Sequence, residues 1–223
     1  MNSLKEKLIS LISHDLRSPI NSLKGILALN KSGDVPTEQM GAFLDKLTKE
    51  VEDTSAFMDN MLHWVKEQIK GADPKISAFH ITPILSETIN QFGVRLEEKQ
   101  IDLNLECSEE TKVVSDPEIL KIIFRNLISN SIKFVNKGSG EIQVTVKSQG
   151  KKNVLTVKDN GIGMNDPVLN QVKAGYVESQ DGTSHEKGFG LGLQLVFSFA
   201  KQLDIEVKVE SKEGSGTSFN LEF

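Results

Sequence analysis

The chain has 223 residues, 38% hydrophobic and 26% charged, with 26 Lys plus Arg against 31 Asp plus Glu for a formal net charge of -5. Such a length suits one large domain or two small ones with a buried core, and no apolar run approaches the roughly 18 to 20 residues of a bilayer crossing, so a soluble chain is expected. The acidic balance gives no electrostatic reason for nucleic-acid binding.

Residues 1–70 carry helical periodicity, broken only by the turn-rich segment Ser32, Gly33, Asp34, Val35 and Pro36, which predicts a helical hairpin. At about 100° per residue, Leu8, Leu11, Ile12, Leu16 and Ile20 begin the apolar half of the first helix, and Met40, Phe43, Leu44, Leu47 and Val51 that of the second. Thr37 is the expected N-cap of the second helix. Each helix would be about 30 residues and on the order of 45 Å long. Two such helices cannot hide arcs this wide on each other, so a homodimeric four-helix bundle is expected. The opening segment MNSLKEKLISLISHD has charges inside its apolar turns and no small-residue cleavage pattern, so a signal peptide is not expected there.

A linker is predicted over 71–78, where GADPKIS stops the second helix, and a second domain over 79–223. Within it the patterns predict a helix at 83–98, a strand at 101–106, a helix at 116–135, strands at 141–148 and 153–159, a helix at 191–203, and strands at 205–211 and 217–223. Helices on one face of a mostly antiparallel or mixed sheet would make an α+β two-layer sandwich. Cys107 is the only cysteine, so neither an internal disulfide nor a zinc cluster is expected, and a reducing, cytoplasmic location follows. The stretch from Asn165 to Lys187 shows little periodicity and is expected to be a functional loop or lid.

Three clusters in the second half suit a nucleotide. Asn126, Asn130 and Lys133 fall on one helix face at i, i+4 and i+7, where an amide oxygen can ligate Mg²⁺ without adding charge and an ammonium can meet a phosphate. Asp159 ends a strand-like run and precedes Gly161 and Gly163; a carboxylate there can accept from an exocyclic amine, with glycines allowing a flat ring to approach. Gly188, Gly190 and Gly192 open a helix and would offer free N–H groups to phosphate. A solvated polar stripe, an Asp-Asn-Gly turn and a tight turn are the plain alternatives for each cluster taken singly.

A fourth cluster lies in the hairpin. His14 sits away from the apolar arc beside Ser10, Arg17, Ser18 and Asn21. A neutral imidazole, with an ordinary pKa near 6.5, is a usable nucleophile, and Asp15 could hold its Nδ1 proton while Nε2 attacks. Pro19 removes the N–H that the Asp15 carbonyl would accept from, loosening the helix there. His63 also faces outward but lacks an adjoining carboxylate.

At these residues the chain resembles the bacterial two-component sensor histidine kinases. SHDLRSPI is similar to the family's phosphoacceptor box, NLISNSIKF to its N box, DNGIGM and GFGLGL to its two glycine boxes, and GSGTSF to the turn before its last strand. The resemblance implies a dimerisation and phosphotransfer hairpin followed by an ATP-binding domain of the gyrase and heat-shock chaperone type. It makes His14 the phosphorylated residue, Asp15 its acid/base partner, Asn130 the Mg²⁺ ligand and Asp159 the adenine contact. Asn126, Lys133, Gly161, Gly163, Gly188, Gly190 and Gly192 become further nucleotide-site residues. Three positions depart from the pattern. Ser18 stands where Thr or Asn accompanies phosphatase activity, Ser131 where Ala is common, and VKAGYV offers only Tyr176 where a phenylalanine-rich box is expected.

The expected function is ATP-dependent autophosphorylation on His14 and phosphoryl transfer to an aspartate of a response-regulator receiver domain, as the cytoplasmic part of a longer, membrane-anchored protein or an excised piece. The alternative is a non-catalytic dimeric ATP-binding scaffold; a plain ATPase or a serine kinase would use the same nucleotide site but leave His14 without a purpose.

Overall fold

The computed structural model describes Lys24, Gly25, Gly41, Thr48 and residues 73–149, 152–175, 182–183 and 192–223. The chain divides into two compact units, Met1–Gly71 and Ala72–Phe223. The expected hairpin helices, with His14, Asp15, Ser18 and His63, lie outside the described residues, as do Tyr176, Gly188 and Gly190.

The second unit runs β1 (Ser77–His80), α1 (Ile81–Asn90), α2 (Gly93–Lys99), β2 (Ile101–Glu106), β3 (Lys112–Ser115), α3 (Pro117–Phe134), β4 (Gly140–Gln149), β5 (Lys152–Asp159), α4 (Asp166–Lys173), α5 (Gly192–Gln202), β6 (Glu206–Lys212) and β7 (Gly216–Glu222). Five strands form one sheet in the order β2-β4-β5-β7-β6. Only β2 and β4 run parallel, because α3 carries the chain back across the sheet between them; the other pairs are antiparallel. Alternation sorts the sheet's two faces. Ile142, Val144, Leu155, Val157, Phe219 and Leu221 are buried on one face, whereas Glu141, Gln143, Lys147 and Lys158 are exposed on the other. Helices α3 and α5 pack together over the apolar face, with Phe124, Leu127 and Ile128 of α3 and Val196 and Phe199 of α5 fully or almost fully buried. This is an α+β sandwich with a mixed sheet.

Three expectations need correction. The helix at 83–98 is two helices, α1 and α2, separated at Gln91 and Phe92. Gly93 removes the side-chain support for continuation, and the turn buries Phe92 under the Arg95 guanidinium, 5.8 Å from the ring centroid. Strands β1 and β3 were not expected; they pair antiparallel as a separate two-stranded sheet, which takes up Ser77 and Ala78 of the expected linker. Finally, Asp166–Lys173 inside the expected loop is helix α4, whose N-cap Asn165 accepts from the Val168 N–H at 3.1 Å.

Helix α3 positions the site, and both its ends are pinned. Asp116 caps the start, its Oδ1 accepting from the N–H groups of Glu118 and Ile119 while Oδ2 accepts from Lys75 N–H at 2.7 Å. Pro117, at the first helical position, needs no N–H partner. At the other end Lys99, buried with its ammonium inward, donates to the carbonyls of Ile132 at 2.7 Å and Lys133 at 3.0 Å. The Lys133 carbonyl also accepts from Thr183 N–H, the Phe134 carbonyl from Ile162 N–H and the Val135 carbonyl from the Thr183 hydroxyl. A cation at a helix C-terminus completes otherwise orphaned carbonyls and opposes the dipole. Lys99→Met is therefore expected to destabilise this unit by about 1–3 kcal/mol in chemical denaturation, with Lys99→Arg restoring part of the loss.

Candidate nucleotide site

Two clusters share α3. The first lies where its amides Asn126 and Asn130 meet the start of α5. Asn126 is buried, and its Nδ2 donates to the Ile122 carbonyl at 2.8 Å, which leaves Oδ1 facing Gly192. A methyl group at Gly192 would come within 3.0 Å of that Oδ1 and 3.9 Å of Asn130 Nδ2, so a glycine there lets the two helices approach. The buried Nδ2 of Asn130 has no hydrogen-bond partner among the described residues. A buried, unpartnered amide costs free energy unless a ligand meets it. A half-turn of the carboxamide presents oxygen instead, so this side chain can serve a cation or a phosphate hydroxyl. Lys133, one turn on, lays its ammonium over the Phe134 ring 4.9 Å from the centroid and makes at least one further interaction.

The second cluster is built round Asp159, the last residue of β5. Its Oδ1 accepts from Gly161 N–H at 2.9 Å and Thr217 N–H at 3.2 Å, and its Oδ2 from the Ser131 hydroxyl of α3 at 3.1 Å. One lone pair of Oδ2 is left for a ligand donor. Burial pushes this carboxyl above its usual range, while the bonds from Gly161, Ser131 and Thr217 pull it back in part. The loop after Asp159 lies tight on the end of α3: a side chain at Gly161 would meet the Phe134 carbonyl oxygen at 2.6 Å. Gly163 has φ +65, and a methyl there would strike the Lys212 carbonyl at 2.0 Å. The loop is thus packed against backbone on both sides.

The structure brings Asn126, Asn130 and Gly192 together, and places Asp159 and Gly161 against Ser131 and Phe134 in the same C-terminal half of that helix, with Gly163 against Lys212. Ser131 and Thr217 complete the carboxylate's environment, although the sequence pattern marked Ser131 only as a minor departure. Its position directly after Asn130 turns it toward the sheet, a signal that could have found it. No group of three or more His, Cys, Asp or Glu suited to holding a metal occurs among the described residues.

Residues 115–223 match the family model described as Histidine kinase-, DNA gyrase B-, and HSP90-like ATPase. Sporulation kinase E of Bacillus subtilis (strain 168) is 29% identical over 94% of this chain and 27% of its own length. The aerobic respiration control sensor protein ArcB of Escherichia coli (strain K12) is 28% identical over 97% of this chain and 28% of its own. The chain thus spans little more than a quarter of these relatives. Among solved structures, histidine kinase ThkA in complex with response regulator protein TrrA superposes with a TM-score of 0.72 at 18% identity, over 99% of this chain and 62% of that one.

Proposed function

We propose that this chain is a sensor histidine kinase, like the relatives it matches, and that it phosphorylates itself on His14 with ATP and passes the phosphoryl group to an aspartate of a response-regulator receiver domain. The observation that carries the ATP half is Asp159, a buried carboxylate with three internal donors and one lone pair to spare. Such an acceptor suits the exocyclic amine of adenine. Asn126, Lys133, Gly161, Gly163 and Gly192 would serve the rest of the site, and Gly188 and Gly190, outside the described residues, would offer N–H groups to phosphate. Asn130 would hold Mg²⁺ through its amide oxygen, and its unpartnered buried atom fits that role. When bound, the ion neutralises phosphate charge.

In the first step Nε2 of His14 attacks the γ-phosphorus, the bond to the β–γ bridging oxygen breaks and ADP leaves. Asp15 holds the Nδ1 proton and opposes the charge on the ring. In the second step the phosphorus–nitrogen bond breaks as a receiver carboxylate oxygen takes the phosphoryl group. Positioning and charge neutralisation supply most of the rate. The ThkA complex with its response regulator supports a partner of that class. A homodimer through the hairpin and a cytoplasmic place within a longer protein complete the reading; no described helix is long and apolar enough to cross a membrane.

The test is labelling with [γ-³²P]ATP. An acid-labile, base-stable label is expected, lost in His14→Gln and in Asn130→Ala. Full labelling of His14→Gln would remove the assignment of the phosphorylated residue, and release of inorganic phosphate without label would point to a plain ATPase.

A further inference from the structure

Asn160 is the only asparagine in the chain that a glycine follows. In such a pair no side chain shields the glycine nitrogen, which can attack the asparagine side-chain carbonyl before it. Asn160 is exposed, so water reaches it. The fold nevertheless turns the two reacting groups apart. Alternation along β5 buries Asp159 on the helix-covered face and sends the next side chain, Asn160, to the other side.

The Asn160 carboxamide is held at both ends. Its Oδ1 accepts from Glu141 N–H at 2.8 Å, and its Nδ2 donates to the Ser139 carbonyl at 2.9 Å. The Asn160 N–H donates to the Glu141 carbonyl at 3.2 Å. In a continued antiparallel ladder the Glu141 N–H would meet the Asn160 main-chain carbonyl; here the side-chain oxygen takes that place, and the main chain is released to turn at Gly161. The attacking nitrogen is committed as well, since Gly161 N–H donates to Asp159 Oδ1 at 2.9 Å on the buried side.

We propose that Asn160 is a deamidation site gated by local opening of the end of β5: the reaction waits until the bonds from Glu141 N–H, to Ser139 and from Gly161 N–H break together. On opening, the Gly161 nitrogen bonds to Asn160 Cγ, the Cγ–Nδ2 bond breaks, and the amide group leaves as ammonia with the Gly161 proton. Water then adds to either carbonyl of the five-membered imide and leaves aspartate or isoaspartate at position 160. Isoaspartate routes the main chain through the side-chain carbon, which lengthens the link by one atom and adds a negative charge. The longer link carries Gly161 and Ile162 away from their acceptors, Asp159 Oδ1 and the Phe134 carbonyl. Loss of ATP binding in the modified chain follows, a consequence that rests on the reading of Asp159 as a nucleotide contact.

The experiment incubates the full chain in mildly alkaline buffer, native or in urea, and follows Asn160 by mass spectrometry, where exchange of NH₂ for OH adds about 1 Da. Isoaspartate is identified by enzymatic methylation. In urea Asn160 is expected to react ahead of Asn153, which valine follows. The native chain is expected to react about 10- to 1000-fold more slowly, the range for three hydrogen bonds. Slowing of less than about tenfold would show that the contacts withhold nothing, and slowing beyond that range would tie the reaction to global unfolding; either result overturns the gate. Asn160→Gln, which needs a larger ring to react, is expected to lose the mass gain in urea, where its own folding is irrelevant; a persisting gain overturns the site. Isoaspartate-bearing protein is expected to bind MgATP at least about tenfold more weakly than the unmodified fraction. Equal affinity overturns the consequence drawn for the nucleotide, whereas an unmodified fraction that binds no ATP overturns the reading of Asp159 instead.

Discussion

Asp159→Asn is expected to leave the folded domain at least as stable as the parent at neutral pH while lowering ATP affinity about 10- to 100-fold, the loss associated with a hydrogen bond to a charged acceptor. The asparagine Oδ1 can still accept from Gly161 and Thr217, and its amide can donate to the Ser131 oxygen, so the internal contacts of the carboxylate are kept. What disappears is the buried charge. Burial raises the Asp159 pKa in the folded state, so this group stabilises the fold fully below its unfolded value, near 3.8, and loses that contribution as pH rises through the folded value. At neutral pH the parent therefore carries a desolvation cost that the variant does not. Its melting temperature should equal or exceed the parent's at pH 7, with the difference closing as the pH approaches that of the unfolded carboxyl. Binding follows the opposite course. Parent affinity for ATP should fall as pH drops through the raised pKa, because the protonated carboxyl stops being a pure acceptor, whereas the residual affinity of Asp159→Asn should not follow that titration. Calorimetric titration checks both, and undiminished affinity in the variant would sink the role given to the carboxylate.

The second large effect is expected at Gly216. Its φ is +90, and a methyl group there would lie 1.9 Å from the Asp159 carbonyl oxygen, 2.8 Å from its carbon and 2.9 Å from the Asn160 Cα. All three are backbone atoms, so no side-chain rotation relieves the clash. Strand β7 must move away from β5 where the Thr217 N–H meets Asp159, which also disturbs the contact of Ser211 in β6 with the Gly216 carbonyl. Gly216→Ala should cost about 3 kcal/mol or more, lowering the melting temperature by roughly 6–12 °C for a domain of this size, and should weaken nucleotide binding with it. Gly214→Ala supplies the control. Gly214 also has positive φ, at +73, but nothing lies within 4 Å of its added methyl, so only the left-handed backbone cost of about 1–2 kcal/mol applies. Equal melting temperatures for the two variants would show that the contact with Asp159 is not what demands glycine.

The chain shows which local signals survive into the fold. Helix α3 was legible because an apolar period runs through Ile119, Ile123 and Leu127 and because Asp116 and Pro117 mark its start. Strands β4, β5, β6 and β7 fall within a residue or so of their expected bounds, since one face of each alternates against the core. Strands β1 and β3 were missed because four residues show no period; Ser77 meets Ser115 only through a contact 38 positions away, so nothing local announces the pair. Helix α4 buries only Val172, which leaves its apolar period faint. The signal that would have found it, Asn165 as cap followed by Pro167, was present in the sequence.

Local chemistry marked Asn126, Asn130, Lys133, Asp159, Gly161, Gly163 and Gly192 as candidates, because amides, a carboxylate and glycines suit a nucleotide at that spacing, while the family resemblance tied the three clusters to one site. Folding added the relations among them. It set Ser131 on Asp159 across 28 positions and Thr217 across 58, and left Asn130 with an unmatched buried amide. It also fixed, through strand register, the row from Ser211 through Thr217 to Asp159. Residue types follow from the chain's own composition, whereas the direction of a hydrogen bond depends on every neighbour at once, and those neighbours come from segments far apart in the chain.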